Sequence, residues 1–583
     1  MSTKMQQISE RILWPRVFAT VGIFVALGVV LSLYYVQAFS GLTQRDQIDI
    51  AQIARSVSSG GGFTTHFIRP FNVELLKNAT SPLPEVNHGP LYPYAVAAVF
   101  KFMGPSEQAV VWVSMIFMFL TFAGTYLLGK MLFDWRTGIF AAANLGVGAA
   151  VLRVGIGASE WPMAAFWLVL LMMTVAAHHR RCMNDSGARI AFPIFAGVLI
   201  AALYMTNHAL MILGIPIAVY FAVTGDKHWR DFAVFAVVAV IACGPWAYRN
   251  AVHTGGSILG ANAWDVMVDT KIFPGDTFYR GVNDSVRGIA RVVLYPMEQF
   301  SSFSEKLMDG TSDAVAEGIP MLGLIMLPFA VVSMLYRFKS PAANAVRGLF
   351  YGIVPALCFA IALFSLNRDA FVLVAPLAAV FGGAYFFLLL DAKKLHPVFQ
   401  RGVIIAVMLL AFWPSLTMIV WGSHKTEDVD DVTRLLTHSD TLGIECLYTD
   451  VPWSAAWMSR SMVAVWLPRS DNDISEMDVE GFPMNVVILT PECRRLDINE
   501  TWYKLYTMKL ERQYIENPDE VLERIRAYGE ELGRNSDDAD MMKRFFRQNQ
   551  RNANVYNSIM GFKQADLGLL ATDQVQVYQR SDE

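Results

Sequence analysis

The sequence predicts an α-helical polytopic membrane protein with about eleven transmembrane helices, followed by a soluble α/β domain at its C-terminus. Three observations predict this class. Of the 583 residues, 54% are hydrophobic and only 17% are charged, whereas a soluble domain carries about a quarter charged residues. The mean hydropathy is +0.37. Long apolar runs recur as far as residue 421, and the chain beyond them is polar.

The first apolar run is WPRVFATVGIFVALGVVLSLYYVQAF, which begins at Trp14. It is longer than the 7–15-residue apolar core of a signal peptide. It also lacks a cleavage site with small residues in alternation, so we predict a retained transmembrane helix.

The other spans follow from length, because a transmembrane helix needs about 20 mostly apolar residues. Two neighbouring runs are separated only by GIGASE and are interpreted as two helices. The predicted spans lie near 14–37, 108–129, 137–153, 160–177, 190–206, 208–224, 232–249, 318–336, 348–365, 370–391 and 402–421.

The charges of the connecting loops alternate along the chain. The N-terminal segment KMQQISER and every second loop after it are basic: KMLFDWR, HHRRCMNDSGAR, GDKHWRD, RFKSPAANAVR and DAKKLHPVFQR. The short loops GIGASE, TNH and SLNRD are nearly free of Lys and Arg. This positive-inside pattern predicts a cytoplasmic N-terminus, and the odd number of spans then predicts an extracytoplasmic C-terminus. The net charge is −4 with no basic block, so nucleic acid is not expected as a partner.

The predicted organisation has two parts. Residues 1–423 form the transmembrane domain, which includes two long outer loops at 38–107 and 250–317. Residues 424–583 form the extracytoplasmic domain. Its strand-like runs ECLYTD, MVAVWLP and NVVILT, followed by the helical stretch NPDEVLERIRAYGEELG, predict a small α/β fold.

Two cysteines, Cys446 and Cys493, lie in this polar region. In an extracytoplasmic domain they could form a disulfide. Two small buried residues would fit the sequence equally well, and both interpretations stay open.

Polar residues collect at the predicted outer ends of the helices. Ionisable groups near a bilayer are costly unless they face water or a partner, so the set predicts an outward-facing site. Each member also has an ordinary explanation: acids favour helix N-termini, and arginines extend toward lipid phosphates. The set comprises Asp46, Asp49, Asn87, His88, Ser159, Glu160, Thr206, Asn207, His208, Arg249, Asn250, Asn367, Arg368 and Asp369.

The segment 46–57 reads as an amphipathic helix. Asp46 shares one face with Ile50, Ile53 and Val57 at helical spacing, so we expect Asp46 to point toward the protein. Asp49 is then expected to be an ordinary first-turn residue. The three glycines at 60–62 match neither GxGxxG nor a P-loop and are predicted to end the helix.

The helix DIAQIARSVSSGGGF preceded by an acid, and then HGPLYPYAVAAVF, resemble the N-terminal half of C-type (GT-C) membrane glycosyltransferases. These include protein O-mannosyltransferase-like, lipid A aminoarabinose transferase-like and lipopolysaccharide galacturonosyltransferase-like enzymes. GPWAYRNAVHTGG and NRDAFVLVAPLAAVF are similar to further segments of that superfamily, and YTDVPWSAAWMSRSMVAVWLP to its soluble domain. The resemblance runs in order from about residue 40 to residue 470.

The resemblance implies a sugar donor carried on a polyprenyl phosphate and a lipid A, envelope glycan or protein acceptor. Asp46 matches the expected general base, and Glu160 matches a second acid. His88, Arg249 and Arg368 match positions that would contact the donor phosphate. We expect Asn87, Asn207, His208 and Asn250 to bind substrate.

Two positions depart from the resemblance. Asn87 stands where aminoarabinose-type members have Glu, and Asn207 and His208 stand where a basic residue is frequent. Both departures weaken any transfer of a metal site or of the substrate. If a divalent metal ion is needed, its expected ligands are Asp46, Glu160 and His88.

The chemistry requires a positioned base, because a hydroxyl is a poor nucleophile at neutral pH. The phosphate leaving group needs charge stabilisation more than protonation. Two alternatives stay open: a transporter or flippase, and a polysaccharide polymerase, ligase or assembly protein. Transporters keep their polar sites near the bilayer midplane, which disfavours the first. The sequence indicates neither the sugar, the acceptor nor the oligomeric state.

Overall fold

The computed structural model is mostly helical and describes most of the first 422 residues and part of the remainder. The described residues are 2–76, 81–183, 190–225, 227–282, 288–323, 325–393, 395–422, 446–459, 462–496, 500, 502–503, 505–506, 562–564 and 576–580.

The chain forms two compact units. The first comprises Met1–Phe63, Glu85–Gly275 and Gly288–Lys425. The second comprises Thr64–Pro84, Asp276–Arg287 and Thr426–Glu583. The second unit therefore contains more than the region predicted to begin near residue 424. It also includes two segments of the predicted outer loops.

The α-helices up to residue 421 are numbered along the chain, and all except α3 lie in the first unit. They are α1 (Ser2–Ala38), α2 (Arg45–Ser58), α3 (Pro70–Leu76), α4 (Leu91–Met103), α5 (Glu107–Leu132), α6 (Trp135–Val147), α7 (Ala149–Gly155), α8 (Trp161–Met183), α9 (Ala191–Thr206), α10 (Gly214–Val223), α11 (His228–Thr254), α12 (Ile289–Glu298), α13 (Phe300–Gly318), α14 (Leu327–Leu335), α15 (Pro341–Leu363), α16 (Ala375–Ala392) and α17 (Pro397–Trp421).

The multi-span prediction is confirmed, and each of the eleven predicted segments is helical, but the helices differ in length. Seven described helices are long and apolar enough to cross a membrane, or up to nine if each bent pair is one span. The pair α6–α7 bends by 72°, and the helix from Phe300 to Leu322 meets α14 at 107°. The other two, α9 and His208–Val223, are shorter apolar helices. Sixteen residues rise only about 24 Å, which is less than the apolar thickness of a typical bilayer.

The predicted helix at 46–57 is present as α2. Its first turn is closed by a reciprocal capping arrangement between Gln44 and Gln47. Beyond Ser58 the chain turns through Gly60 and Gly62, which have φ of 88° and 79°. Only glycine adopts such angles without strain, so the glycines end the helix as predicted.

The second unit contains a mixed sheet in the strand order β2-β5-β4-β6-β8-β7, in which β2, β5, β4 and β6 run parallel. Two helices of this unit are α18 (Pro452–Met458) and α19 (Asp471–Val479). The strands are β1 (Thr64–Thr65), β2 (Phe67–Ile68), β3 (Leu83–Pro84), β4 (Cys446–Thr449), β5 (Val463–Trp466), β6 (Val486–Leu489), β7 (Phe562–Gln564) and β8 (Gln576–Arg580).

Both loop segments are tied into this unit by specific pairing. Phe67 and Ile68 pair with Ala464 and Val465 of β5. Arg280 from the second loop forms a buried bidentate ion pair with Glu500 at 3.0 and 2.5 Å. These contacts explain why the two segments belong with the C-terminal region.

The three strand-like runs of the C-terminal region form β4, β5 and β6. The predicted helix NPDEVLERIRAYGEELG lies outside the described residues. No disulfide joins Cys446 and Cys493 in the described structure.

Candidate functional site

The two acids of α2 have opposite surroundings. The side chain of Asp46 is 49% exposed, beside Arg45 at 3.5 Å, whereas that of Asp49 is 0% exposed. Gln52 Nε2 donates to Asp49 Oδ1 at 2.8 Å, and His88 Nε2 lies 3.0 Å from Asp49 Oδ2. The expected inward orientation of Asp46 is therefore corrected. Helical spacing identified a common face, but the 85–91 loop supplies the partner that buries Asp49.

Glu160 lies in the turn immediately before α8 and is buried at 8% exposure. Asn207 Nδ2 donates to its Oε1 at 3.4 Å. Burial raises the pKa of the Glu160 carboxyl; the charge on His88 opposes this rise, and the charge on Asp46 adds to it. These interactions bring together four of the predicted site residues: Asp46, His88, Glu160 and Asn207.

The segment from Glu85 to Leu91 carries His88 and is held by close packing. A Cβ atom on Gly89 would lie 2.4 Å from the carbonyl oxygen of Met205. Gly260, with φ of 64°, would place a Cβ atom 2.1 Å from the carbonyl oxygen of Val86. Real Cβ atoms do not approach so closely, so both glycines are required for the loop to reach its neighbours.

Asn87 keeps its amide unused within the described structure. Its Oδ1 and Nδ2 are both buried without a hydrogen-bond partner among the described residues. Buried polar atoms normally have partners. The amide therefore remains a candidate for substrate binding, as predicted.

His208 and Asn250 form a second polar cluster beside the loop. Trp246 Nε1 and Asn250 Nδ2 both approach His208 Nε2, at 3.2 and 3.3 Å. Two donors at one nitrogen require an unprotonated Nε2, so Nδ1 carries the proton and donates to Asn262 Oδ1 at 3.2 Å. His208 is thus a neutral residue whose ring nitrogens are bonded to protein groups, an arrangement that favours a structural role over the predicted substrate contact.

Arg249 links this cluster to the loop. Its Nη1 donates to the Glu85 carbonyl oxygen at 2.9 Å and its Nη2 to that of Phe63 at 3.4 Å. The guanidinium carbon lies 4.6 Å from the centre of the Trp246 ring. The predicted phosphate ligand is therefore bonded to the loop that carries His88, through the backbone of Glu85.

Arg368 has different partners from the other predicted cations. It forms exposed ion pairs with Asp313, at 2.8 Å, and with Glu317. Among the described residues, no contact joins it to His88 or Glu160. The sequence predicted that all three cations lie at the same depth, at the outer ends of the helices. In the structure, α13 supplies two acids that neutralise Arg368.

A metal site does not fit the described residues. They contain no group of three or more His, Cys, Asp or Glu side chains placed to hold an ion. Asp46, Glu160 and His88, the predicted ligands, therefore do not form a metal centre in this arrangement.

Taken together, the first unit presents a half-exposed carboxylate beside a buried one and an imidazole. Such a set can accept a proton from a hydroxyl and stabilise a negative charge nearby. Sequence reasoning missed the contributions of Asp49 and Glu85. For Glu85, its place two residues before Asn87 in PLPEVNHGP was a usable signal. The burial of Asp49 had no local signal, because its partner is distant in sequence.

Residues 87–248 match the sequence profile of the family described as dolichyl-phosphate-mannose-protein mannosyltransferase. This segment contains Asn87, His88, Glu160, Asn207 and His208. Comparison with curated protein sequences gives no match.

Solved structures of similar fold cover most of the chain. The Archaeoglobus fulgidus oligosaccharyltransferase AglB, solved with an inhibitory peptide and a dolichol-phosphate, is 14% identical over 85% of this chain and 71% of its own, with a TM-score of 0.54. The same organism's oligosaccharyltransferase with Zn and sulfate is 12% identical over 96% and 88%, with a TM-score of 0.55. ArnT from Cupriavidus metallidurans, bound to undecaprenyl phosphate, is 14% identical over 82% and 94%, with a TM-score of 0.51. At these identities the likeness concerns the fold.

Proposed function

We propose that this chain, a glycosyltransferase of the GT-C superfamily, moves a sugar from a polyprenyl-phosphate carrier to a hydroxyl acceptor. The reaction is assigned to the extracytoplasmic face of a bacterial cytoplasmic membrane, on the basis of the loop charges. The acceptor is a lipid, an envelope glycan or a protein. The similar structures solved with dolichol-phosphate and undecaprenyl phosphate support a lipid-phosphate donor.

One observation carries the proposal: the charges of half-exposed Asp46 and of His88 both act on the buried carboxyl group of Glu160. The exposed acid can reach an acceptor that arrives from water. The buried acid, whose pKa is raised by burial, can orient that acceptor through a hydrogen bond.

The proposed step is a single displacement. As the acceptor oxygen bonds to the anomeric carbon, Asp46 takes the hydroxyl proton. The bond between that carbon and the phosphate oxygen breaks, and its electron pair stays on the phosphate. His88 and Arg249 stabilise the resulting negative charge. Attack from the opposite side inverts the anomeric centre.

The experiment begins with a strain that lacks this chain. Mass spectrometry of its envelope lipids, glycans and proteins identifies the missing sugar and its acceptor. Transfer is then measured with the purified full chain, the matching polyprenyl-phosphate sugar and the acceptor.

Asp46→Asn is expected to lower kcat by at least about 100-fold, the usual contribution of a general base. Asp391→Asn is the matched control, since Asp391 is an exposed acid that pairs with Arg136 at 3.6 Å at the end of α16. Normal transfer by the Asp46 variant would remove it as the base. Lipid flux across proteoliposomes without covalent transfer would favour a flippase instead.

A further inference from the structure

Asp49 is a fully buried acid that the proposed reaction does not use. Its two oxygens face Gln52, one turn away on α2, and the ring of His88. Burying a carboxylate costs several kcal/mol unless partners compensate. Here the partner of Asp49 is the imidazole of His88, whose charge also acts on Glu160.

The contact also fixes the orientation of the ring. An ionised carboxylate only accepts hydrogen bonds, so His88 Nε2 carries a proton and points at Asp49. The other ring nitrogen, Nδ1, is then directed away from α2. An imidazole held in this way keeps one ring orientation.

Glu85 fixes the same residue through its main chain. Its side chain is fully buried, and its Oε1 accepts the backbone N–H groups of Asn87 at 2.5 Å and His88 at 2.9 Å. Its carbonyl oxygen receives Arg249 Nη1. Two buried acids therefore hold His88, one at the ring and one at the backbone.

We propose that Asp49 is a positioning residue, which holds the His88 imidazole in the orientation that contacts the donor phosphate. The inference rests on the proposed function. It gives α2 two roles, with Asp46 acting on the acceptor and Asp49 acting on the donor through His88. The competing explanation is that Asp49 only fastens α2 to the 85–91 loop.

A double-mutant cycle separates the two explanations. Asp49→Asn, His88→Asn and the double variant are prepared as full chains. The affinity of each for undecaprenyl phosphate is measured, together with KM for the donor and kcat. Thermal unfolding confirms that each variant is folded.

Asp49→Asn is expected to weaken undecaprenyl phosphate binding and to raise the donor KM by about tenfold, the size of a lost charged hydrogen bond. At saturating donor, kcat is also expected to fall, because His88 stabilises the charge that develops on the leaving phosphate. The double variant is expected to match His88→Asn alone, because residues that act through one contact are not additive. Asp391→Asn serves again as the control.

The inference would be overturned if the effects of the two single variants multiplied in the double variant. A lower kcat with an unchanged donor KM would also overturn it. If Asp49→Asn does not fold, Asp49→Glu, which displaces the carboxylate by one methylene, enters the same cycle with the same expected result. Failure of the wild-type chain to bind undecaprenyl phosphate would overturn the proposed function, and this inference with it. Binding with additive penalties would overturn the inference alone.

Discussion

At the scale of single residues, Asp450 is a buried acid with a direct consequence for stability. It follows β4 and accepts from the backbone N–H and the hydroxyl group of Thr490, at 3.0 and 2.6 Å. Burial raises its pKa from 3.8 to about 6, and the Thr490 hydrogen bonds oppose this rise. The folded state therefore holds a proton that the unfolded state releases.

The stability from this proton is complete below pH 3.8 and is lost as pH rises through about 6. Two pKa units correspond to about 3 kcal/mol. Because Asp450→Asn cannot titrate, the variant is expected to gain stability relative to wild type between pH 4.5 and 7.5. Hydrogen exchange of β4 and β6 peptides, corrected for intrinsic rates, measures the difference. Glu480→Gln, at an exposed acid in the same unit, should show none. If Asp450→Asn and wild type differed in stability by the same amount at pH 4.5 and at pH 7.5, the assignment would be contradicted.

The grouping of several predicted residues followed from local chemistry. His88 beside GP, Glu160 before a helix and Asn207 at the end of a helix come together as a set, since each lies where a helix begins or ends or in the loop beside it. The depth of Asp46 and Asp49 was not predictable, since it depends on a loop 39 residues away. Asp313, one of the two acids that neutralise Arg368, lies 55 residues from it in the sequence.

At the scale of elements, the 85–91 loop depends on the glycine that packs against the end of α9. Gly89→Ala would place a methyl group against the backbone oxygens of Met205 and Thr206, at 2.4 and 2.6 Å. The backbone cannot yield cheaply, so His88 must shift. A misplacement of about 1 Å can cost about 100-fold in rate.

We therefore expect Gly89→Ala to lower kcat/KM for transfer by about 100-fold. Gly244→Ala in α11 is the matched control, because nothing lies within 4 Å of its Cβ position. The control should keep full activity and equal or slightly higher thermal stability. Comparable activity in the two variants would show that the loop tolerates displacement.

The helices themselves were the most predictable elements, because apolar length is a local property. Their bends were not. Gly148 separates α6 from α7 at 72°, yet a glycine in an apolar run is compatible with a straight helix. Asn207 ends α9 and caps the next turn by accepting from the N–H of Ala209 at 3.1 Å, which sets the short length of that helix.

At the scale of the whole molecule, the buried pair Arg280–Glu500 ties a loop of the chain to the C-terminal region within the second unit. The side chains are 2% and 6% exposed, and Arg280 Nε also donates to the Leu467 carbonyl oxygen at 2.8 Å. Removing one partner of a buried ion pair costs about 3–5 kcal/mol, because the other charge stays buried.

Arg280→Met is accordingly expected to destabilise the second unit by about 3 kcal/mol or more. Adding Glu500→Gln should restore part of the loss, because the stranded charge is removed. Hydrogen exchange of the β4–β6 peptides in the full chain reports both changes. The double variant could instead be less stable than Arg280→Met alone, by as much again as the first substitution costs. That result would contradict this account.

The domain organisation was predictable only in part. The polar C-terminal composition marked a separate α/β region, and its central strands were recognisable as apolar runs. Nothing local in residues 64–84 or 276–287 marks them as members of that unit, because sheet pairing and the Arg280 ion pair are long-range contacts.

The pairing of β2 with β5 also delays completion of the sheet during synthesis. Phe67 pairs with Ala464, so the first strand leaves the ribosome about 400 residues before its neighbour. At 5–20 residues per second, that interval is about 20–80 s. During it, Phe67 and Ile68 lack the strand that will cover one side of them. The earliest strand of the sheet is thus paired only after β5 has been made, and a chain stopped before β5 would be released with that strand still unpaired.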